Sequence, residues 1–190
     1  MRSIILIVHL SLDGYVAGPG GDLNYFIPPD ENLAFVNSIT TSADTALFGR
    51  NSYQLLNDFW PSQHNDPQAT GAEIAYSNWY NSAQKIVVSQ TLPDRSDDHV
   101  TIIRENLEPE LLKIKQQPGK DILIFGSPAL SQTLIRNDLI DEFWVFIHPA
   151  FFGKGLPLFT DLPKKVELEL LETHALPYNQ IALHYVKKAK

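Results

Sequence analysis

The 190-residue sequence contains no cysteine. Disulfide bonds, thiolate catalysis and cysteine metal sites are therefore excluded, and we expect a cytoplasmic protein, with which this composition is compatible. The six histidines show neither the H-x-x-x-H nor the histidine–carboxylate spacing that is typical of metal sites, so we expect no metal. The G-x-S-x-G elbow of serine hydrolases is also absent.

Positive charge and long apolar runs are scarce as well. The formal net charge is −7, which argues against a nucleic-acid partner. No apolar stretch approaches the length that crosses a bilayer, so no membrane partner is expected. The run from Ile4 to Leu10 is short and contains His9, which favours a first core strand over a signal peptide.

What is present is the composition of a globular protein. Hydrophobic residues make up 44% of the chain and charged residues 19%. This length suits one domain with a substantial core, and no repeat, low-complexity segment or linker divides it. We therefore expect a single domain over residues 1–190.

Strand-like and helix-like segments alternate along most of the chain, which predicts an α/β fold with a mostly parallel central sheet. The expected strands are Ile4–Leu10, Thr45–Phe48, Ile86–Val88, Thr101–Ile103, Ile122–Phe125 and Phe143–Ile147. The expected helices are Asn32–Thr40, Ser52–Asn57, Ala72–Asn81, Glu108–Gln116 and Ala129–Arg136. Near the end, apolar residues alternate with polar ones around positions 166–170 and 181–185, which predicts an antiparallel hairpin at the sheet edge.

Residues 122–142 are the most informative stretch. The apolar strand Ile122–Phe125 ends at Gly126, after which Ser127 is expected as N-cap and Pro128 as first residue of a helix. A strand that passes through glycine into a helix places backbone N–H groups and the positive end of the helix dipole together. Such a turn can bind an anion, although many ordinary βα connections look the same.

Two further strands end in similar turns. Thr45–Phe48 is followed by Gly49–Ser52 and a helix, and Ile86–Val88 is followed by the hydroxyl-rich Ser89–Thr91. If the strands are parallel, all three turns lie at the carboxyl edge of one sheet, where open α/β proteins bind ligands. Together they favour a ligand with several phosphates.

Five motifs resemble the dihydrofolate-reductase-like superfamily, in the branch related to the reductase domain of bacterial riboflavin biosynthesis. In that branch's order they are Ser11–Ala17, Gly49–Tyr53, Val87–Leu92, Gly126–Leu130, and Leu139–Glu142 followed by Pro149 to Phe159 with its Gly153-Lys154-Gly155. The resemblance covers nearly the whole chain. It implies a three-layer α/β/α fold with NADPH, or NADH, across the carboxyl edge of the sheet.

The resemblance also implies roles for individual residues. The pyrophosphate of the cofactor would lie on Gly49, Arg50, Asn51 and Ser52 and on Gly126, Ser127, Pro128, Ala129 and Leu130. The adenosine ribose phosphate would lie at Ser89, Gln90 and Thr91, and the nicotinamide beside Val16 and Ala17.

Three positions depart from the relatives' pattern. Gln90 stands where relatives often carry a cation that suits a 2′-phosphate, so we expect weak discrimination between NADPH and NADH. Gly126-Ser127 replaces the glycine pair of dihydrofolate reductases. Phe125 stands where riboflavin-pathway reductases often carry an acid that contacts their sugar-phosphate substrate, which counts against that activity.

Several side chains are candidates for the substrate site. Asp30 and Glu31 are the catalytic candidates for the proton that hydride reduction requires, because they lie where dihydrofolate reductases place the carboxylate that binds the pterin. Alternatively, Asp30 caps the next helix and Glu31 enriches its first turn. Asp13 is a further carboxylate for the substrate, or a turn former. A flat apolar pocket would be lined by Tyr25, Phe26, Phe35 and Trp60, which core packing explains equally well.

The sequence thus predicts an NADPH-dependent reductase of a small flat heterocycle, pterin- or pyrimidine-like. The alternatives are a nucleotide-binding module with little turnover, a reductase of the 5-amino-6-ribosylaminouracil-phosphate type, and an unrelated phosphate-binding α/β protein. A homodimer is also expected, because both faces of the strand Phe143–Ile147 are apolar and Phe151, Phe152 and Phe159 follow it. Relatives in the riboflavin-related branch commonly pair through this part of the sheet.

Overall fold

The computed structural model describes residues 1–26, 30–94, 99–160, 162 and 165–188, without the side chains of residues 30 and 31. The strands are β1 (Ile4–Ser11), β2 (Tyr15–Ala17), β3 (Ala43–Gly49), β4 (Gln84–Val88), β5 (Val100–Ile103), β6 (Asp121–Phe125), β7 (Glu142–His148), β8 (Leu156–Pro157), β9 (Leu168–Leu176) and β10 (Gln180–Lys187). The α-helices are α1 (Asp30–Thr40), α2 (Arg50–Gln63), α3 (Gly71–Ser82), α4 (Leu107–Gln116) and α5 (Pro128–Arg136).

Eight strands form one sheet in the order β5-β4-β3-β6-β1-β7-β10-β9. The first six are parallel to one another. β10 pairs antiparallel with both β7 and β9, which forms the predicted hairpin at the edge of the sheet. The mixed α/β fold with a mostly parallel sheet is therefore confirmed.

Helices cover both faces of the sheet because the side chains of its central strands are apolar on each side. In β1, Leu6 and Val8 belong to the core cluster that includes residues of α4 and α5, such as Leu111 and Leu134. Ile5 and Ile7 point the other way, into a second cluster with residues of α1, α2 and α3. No helix in the described ranges is long and apolar enough to span a membrane.

The structure adds two features to the predicted elements. The helix expected over 52–57 extends over Arg50–Gln63, and the ring of Trp60 near its end packs on Tyr76 of α3, with ring centroids 4.3 Å apart. The short strands β2 and β8 pair with each other in a small second sheet. They were not predicted because segments of three and two residues carry no measurable periodicity.

Two buried cations form ion pairs at the amino end of the sheet. Arg2 pairs with Asp44 and also donates to Thr45, and the Nζ of Lys115 lies 2.6 Å from the Oδ2 of Asp141. Arg2 and Lys115 are buried, so their charges are satisfied within the fold.

Candidate active site

The three turns expected to bind phosphate do lie at one edge. β3, β4 and β6 are parallel neighbours, so their carboxyl ends open toward the same side. α2 begins directly after β3, and two residues, Gly126 and Ser127, separate the end of β6 from the start of α5. The prediction that these turns share one edge is therefore confirmed.

Ser127 joins two of these turns. Gly126 and Ser127 both adopt positive φ, at 54° and 47°, and Ser127 occupies the N-cap position of α5 without capping it through its side chain. Its Oγ instead accepts a hydrogen bond from the backbone N–H of Gly49, at 3.0 Å. The expected side-chain cap is thus replaced by a bond that ties the turn after β6 to the turn after β3.

Gly49 fits this contact because it has no side chain. A Cβ at position 49 would lie 2.6 Å from the Oγ of Ser127, a distance that real Cβ contacts do not reach. The absence of a side chain at Gly49 and the left-handed backbone at Ser127 therefore hold two helix N-termini close together.

Both helix N-termini can present amides to an anion. In neither α2 nor α5 does the side chain of the N-cap residue accept a hydrogen bond from the amides of the first turn. The first helical residues are Arg50, Asn51 and Ser52 on α2, and Pro128, Ala129 and Leu130 on α5. Pro128 has no N–H, so on α5 the amides of Ala129 and Leu130 are the donors.

The turn after β4 is built by a buried serine. The Oγ of Ser89 accepts hydrogen bonds from the N–H groups of Leu92 and Thr91, at 3.0 and 3.3 Å, and Ser89 is only 8% exposed. This hydroxyl shapes the turn, which leaves the exposed Gln90 and Thr91 as the groups that face solvent.

Two arginines flank this turn. The Nη1 of Arg50 donates to the Oγ1 of Thr91 at 2.7 Å, which brings the turn after β3 to the turn after β4. Arg104, which follows β5, donates to the backbone carbonyl of Gln90 at 3.4 Å and pairs with Asp94 at 2.6 Å. The sequence reasoning missed Arg104; its position one residue after a strand was the available signal.

Val16 and Ala17, expected beside a nicotinamide, lie on β2 and are buried. β2 pairs with β8, so the glycine-rich segment before β8 approaches it closely. A Cβ at Gly155 would lie 2.2 Å from the carbonyl oxygen of Ala17. Position 155 therefore requires glycine for the position of β2.

Asp13 holds a loop together. Its carboxylate accepts hydrogen bonds from the N–H groups of Phe152 and Gly153, at 3.1 and 2.8 Å, and from the hydroxyl of Ser11 at 2.6 Å. The Ser11 hydroxyl bond, followed by the two backbone bonds, lowers the pKa of this carboxyl below its ordinary value. These bonds match the turn-forming interpretation and occupy the oxygens that a substrate would need.

The loop that Asp13 holds carries Phe152 over a group of aromatic rings. Phe152 packs against Tyr25 and Phe26, with centroids 4.8 Å away in each case. Phe26 in turn lies 4.5 Å from the ring of His148. The Nε2 of His148 is 2.8 Å from the Nδ1 of His9. We call His9, Tyr25, Phe26, His148 and Phe152 the aromatic cluster.

The remaining candidates for the substrate pocket are dispersed. Phe35 packs edge-on against Trp144, 5.4 Å away, and Trp60 packs between α2 and α3. Of the four candidates, Tyr25 and Phe26 belong to the aromatic cluster. The side chains of Asp30 and Glu31 lie outside the described part of the chain, which places only their backbone, at the start of α1.

The sequence comparisons agree with this architecture. A family model described as the RibD C-terminal domain matches residues 2–181. YyaP, an uncharacterised protein of Bacillus subtilis (strain 168), is 33% identical over 97% of this chain and 94% of its own length. A second uncharacterised protein of that strain, YwjB, is 27% identical over 98% of both chains.

Solved structures share the fold. The putative riboflavin biosynthesis protein of Shewanella sp. PV-4 superposes with a TM-score of 0.74 at 20% identity, over 99% of this chain and all of that one. Dihydrofolate reductase of Enterococcus faecalis, solved with NADP(H), gives a TM-score of 0.65 at 16% identity, over 98% of this chain and 97% of that one. At these identities the similarity shows the fold alone.

Proposed function

The chain belongs to the RibD C-terminal domain family, and on that premise we propose that it is an NADPH-dependent oxidoreductase which reduces a small, flat heterocycle in the cytoplasm. The observation that supports this most directly is the hydrogen bond from Gly49 to Ser127, because it holds two helix N-termini together at the carboxyl edge. A dinucleotide has two linked phosphates, which suit two adjacent sets of amide donors.

Under this proposal, residues along the carboxyl edge would contact successive parts of NADPH. The amides of Asn51 and Ser52 and those of Ala129 and Leu130 would hold the pyrophosphate. Arg50 and Arg104, at the turn after β4, would lie by the ribose phosphate. Val16 and Ala17 would lie beside the nicotinamide, which would supply the substrate with a hydride, that is one proton with two electrons.

Hydride addition to a C=N or C=O bond also requires a proton, from an acid or from water. Asp13 is a poor donor, because the hydrogen bonds it accepts lower the pKa of its carboxyl. Glu31 and Asp30, at the start of α1, remain candidates for this role. We propose them on the family resemblance.

The substrate would differ from the sugar phosphate of riboflavin synthesis. Phe125, where an acid would contact that substrate, lies 5.7 Å from Tyr76 and 5.6 Å from Trp79, measured between ring centroids. An apolar ring among aromatic rings offers no hydrogen bond to a ribityl chain. This observation favours a pterin- or pyrimidine-like ring without that chain.

The test is a titration with NADPH, followed by nicotinamide absorbance in the presence of unphosphorylated pterins and pyrimidines. We expect saturable binding and oxidation of NADPH with at least one compound. Binding without oxidation of NADPH by any compound would favour a nucleotide-binding module with little turnover. The absence of NADPH binding would refute the assignment.

We also propose that two copies of the chain associate through the sheet. Trp144 and Phe146 of β7 pack into the core beneath α1, whereas the opposite face of β7 borders an open apolar groove of about 660 Å³. That groove is lined by Phe143, Val145, Ile147, Leu168, Leu183 and Tyr185, among others. A second copy placed on this face would remove the exposed apolar surface from water.

Light scattering at micromolar concentration tests the dimer. The expected mass is about twice the 21.4 kDa of one chain. Leu183→Glu would place a charge in the groove and should give the mass of a single chain, whereas Ser62→Glu, on an exposed position of α2, should leave the mass of the dimer unchanged. A single-chain mass for the wild-type protein would refute the proposal.

A further inference from the structure

The two histidines of the aromatic cluster form an unusual pair. His9 belongs to β1 and His148 ends β7, and the register of these strands places His9 opposite Phe146 and His148 opposite Ser11. The ring of His9 stacks on Phe146 with centroids 4.7 Å apart and an angle of 20° between the planes. The two imidazoles therefore approach each other through their nitrogens, while the ring of His9 stacks on Phe146 and the ring of His148 lies tilted by 58° against Phe26.

The pair is neutral near pH 7. Burial, and then the neighbouring imidazole, lower the pKa of His9 to about 3, and burial lowers the pKa of His148 to about 4. Two neutral rings with nitrogens 2.8 Å apart share one proton, so one ring donates and the other accepts. The outer nitrogens, Nε2 of His9 and Nδ1 of His148, then have opposite hydrogen-bonding character.

The two histidines differ in accessibility. His9 is partly exposed although it belongs to a central strand, whereas His148 is buried, with 6% of its surface exposed. Tyr25, Phe26 and Phe152, which surround the pair, are also partly or largely exposed. The aromatic cluster is thus a partly exposed surface lined by rings, with the imidazole of His9 among them.

The cluster borders the strand that would hold the nicotinamide. The ring of Tyr25 packs against the backbone of Gly18, where a Cβ would meet it at 2.5 Å, and Gly18 directly follows Ala17. A compound held on the aromatic cluster would therefore lie next to β2.

Building on the proposed function, we propose that the aromatic cluster is the substrate subsite and that the outer nitrogen of His9 selects the substrate by a hydrogen bond to the edge of its ring. His148 is a positioning residue, because its bond to Nδ1 fixes which hydrogen-bonding character His9 presents. A neutral pair surrounded by aromatic rings suits an uncharged heteroaromatic ring and gives no counter-charge to a phosphate.

Paired substitutions separate the two nitrogens of His9. Asparagine places its amide near the position of Nδ1, so His9→Asn keeps the bond to His148 and removes the outer nitrogen. Glutamine reaches the position of Nε2, so His9→Gln keeps the outer group and loses the bond to His148. Both variants remove the imidazole that stacks on Phe146, so they lose that stacking contact equally.

The probes are 6-hydroxymethylpterin, its phosphate ester and 5,6-diaminouracil. Each is titrated against the free protein and against the protein saturated with NADP⁺, with tryptophan fluorescence or calorimetry as readout. We expect at least one unphosphorylated probe to bind the wild-type protein. His9→Asn should weaken that binding at least tenfold, and His9→Gln less than threefold. NADPH affinity should stay within twofold in both.

His148 is tested by rescue. His148→Leu should weaken binding of the same probe about as much as His9→Asn does, although His148 itself is buried. His148→Gln keeps a hydrogen-bonding group near the position of Nε2, so it should restore most of the affinity for the probe. His64→Asn, at the end of α2, controls for loss of an imidazole elsewhere and should change nothing. Melting curves verify that each variant is folded.

Three results would overturn the inference: no unphosphorylated probe binds, the Asn and Gln variants at position 9 behave alike, or the phosphate ester binds tenfold more tightly than the pterin. These results differ from a failure of the proposed function, which would appear as loss of NADPH binding in the wild-type protein. Because the probes are also titrated against the free protein, the His9 result stands in either case.

Discussion

The carboxyl edge of the sheet has two halves with different chemistry. The half formed by β5, β4, β3 and β6 carries hydroxyl groups, two arginines and two helix N-termini. The half formed by β1 and β7 carries the aromatic cluster with its neutral pair of histidines. The first half is suited to anions and the second to uncharged rings.

The two halves also differ in what holds them in place. Turns of the first half are joined directly, by Gly49 to Ser127 and by Arg50 to Thr91. In the second half, two contacts hold the loops in place. The carboxylate of Asp13 accepts hydrogen bonds from the N–H groups of Phe152 and Gly153, and Gly155 packs closely against the carbonyl oxygen of Ala17. We therefore expect substitutions in one half to leave the other largely intact.

The largest effect is expected for Ser52→Glu. A carboxylate in the first turn of α2 would occupy and repel the pyrophosphate position, so NADPH affinity should fall more than about a hundredfold, or ~2.7 kcal/mol. Binding of the unphosphorylated pterin to the free protein should be unchanged. Ser62→Glu places the same charge near the other end of α2 and serves as control. A Kd for NADPH like that of the wild type would show that the phosphates lie elsewhere.

Gly155→Ala should damage the second half instead. The added Cβ would collide with the carbonyl oxygen of Ala17 and displace β2, at a cost in unfolding free energy of about 1–3 kcal/mol. Oxidation of NADPH should fall much more than affinity for NADP⁺, whose phosphates the first half holds. Gly71→Ala, at the start of α3 where a Cβ meets nothing within 4 Å, is the matched control. Equal losses of binding and turnover would contradict the division into halves.

The sequence predicted the first half of this edge better than the second. The parallel strands and the turns after them follow from short apolar runs and from Gly49 and Gly126, which are local signals. The pairing of His9 with His148 joins positions 139 residues apart, and nothing local distinguishes His9 from a polar residue tolerated in a strand. The bond of Ser127 to Gly49 was missed for a similar reason, because Ser127 before Pro128 has the local pattern of an N-cap.

Acidification should reveal the neutral pair. In the unfolded chain His9 and His148 would titrate near their ordinary pKa of 6.5, but in the folded protein the pKa values are about 3 and 4. The unfolded state therefore binds more protons below pH 6.5, and stability that is complete above that pH is lost as the pH falls. Between pH 7.5 and 5.5 the loss should be about 2.7 kcal/mol for the pair, because each histidine contributes about 1.4 kcal/mol.

Urea unfolding at several pH values measures this dependence. The double variant His9→Asn with His148→Gln should show a flatter profile, and His64→Asn should keep the wild-type slope. If the double variant is as pH-dependent as the wild type, then the pair is not the source of the acid sensitivity, and the second half of the edge is less buried than its contacts indicate.

The smallest effect concerns the choice between NADPH and NADH. Gln90 offers the 2′-phosphate only a neutral hydrogen bond, and Arg104 is already paired with Asp94, so we expect a preference for NADPH of less than about a hundredfold. Arg50→Gln should lower NADPH affinity about tenfold, or ~1.4 kcal/mol, with little change for NADH. Gln90→Ala should change either affinity less than about threefold, ~0.7 kcal/mol. A preference for NADPH over NADH above about a hundredfold that survives in Gln90→Ala would show that the arginines alone recognise the 2′-phosphate. The positive charge of the first half would then determine cofactor choice as well as cofactor binding.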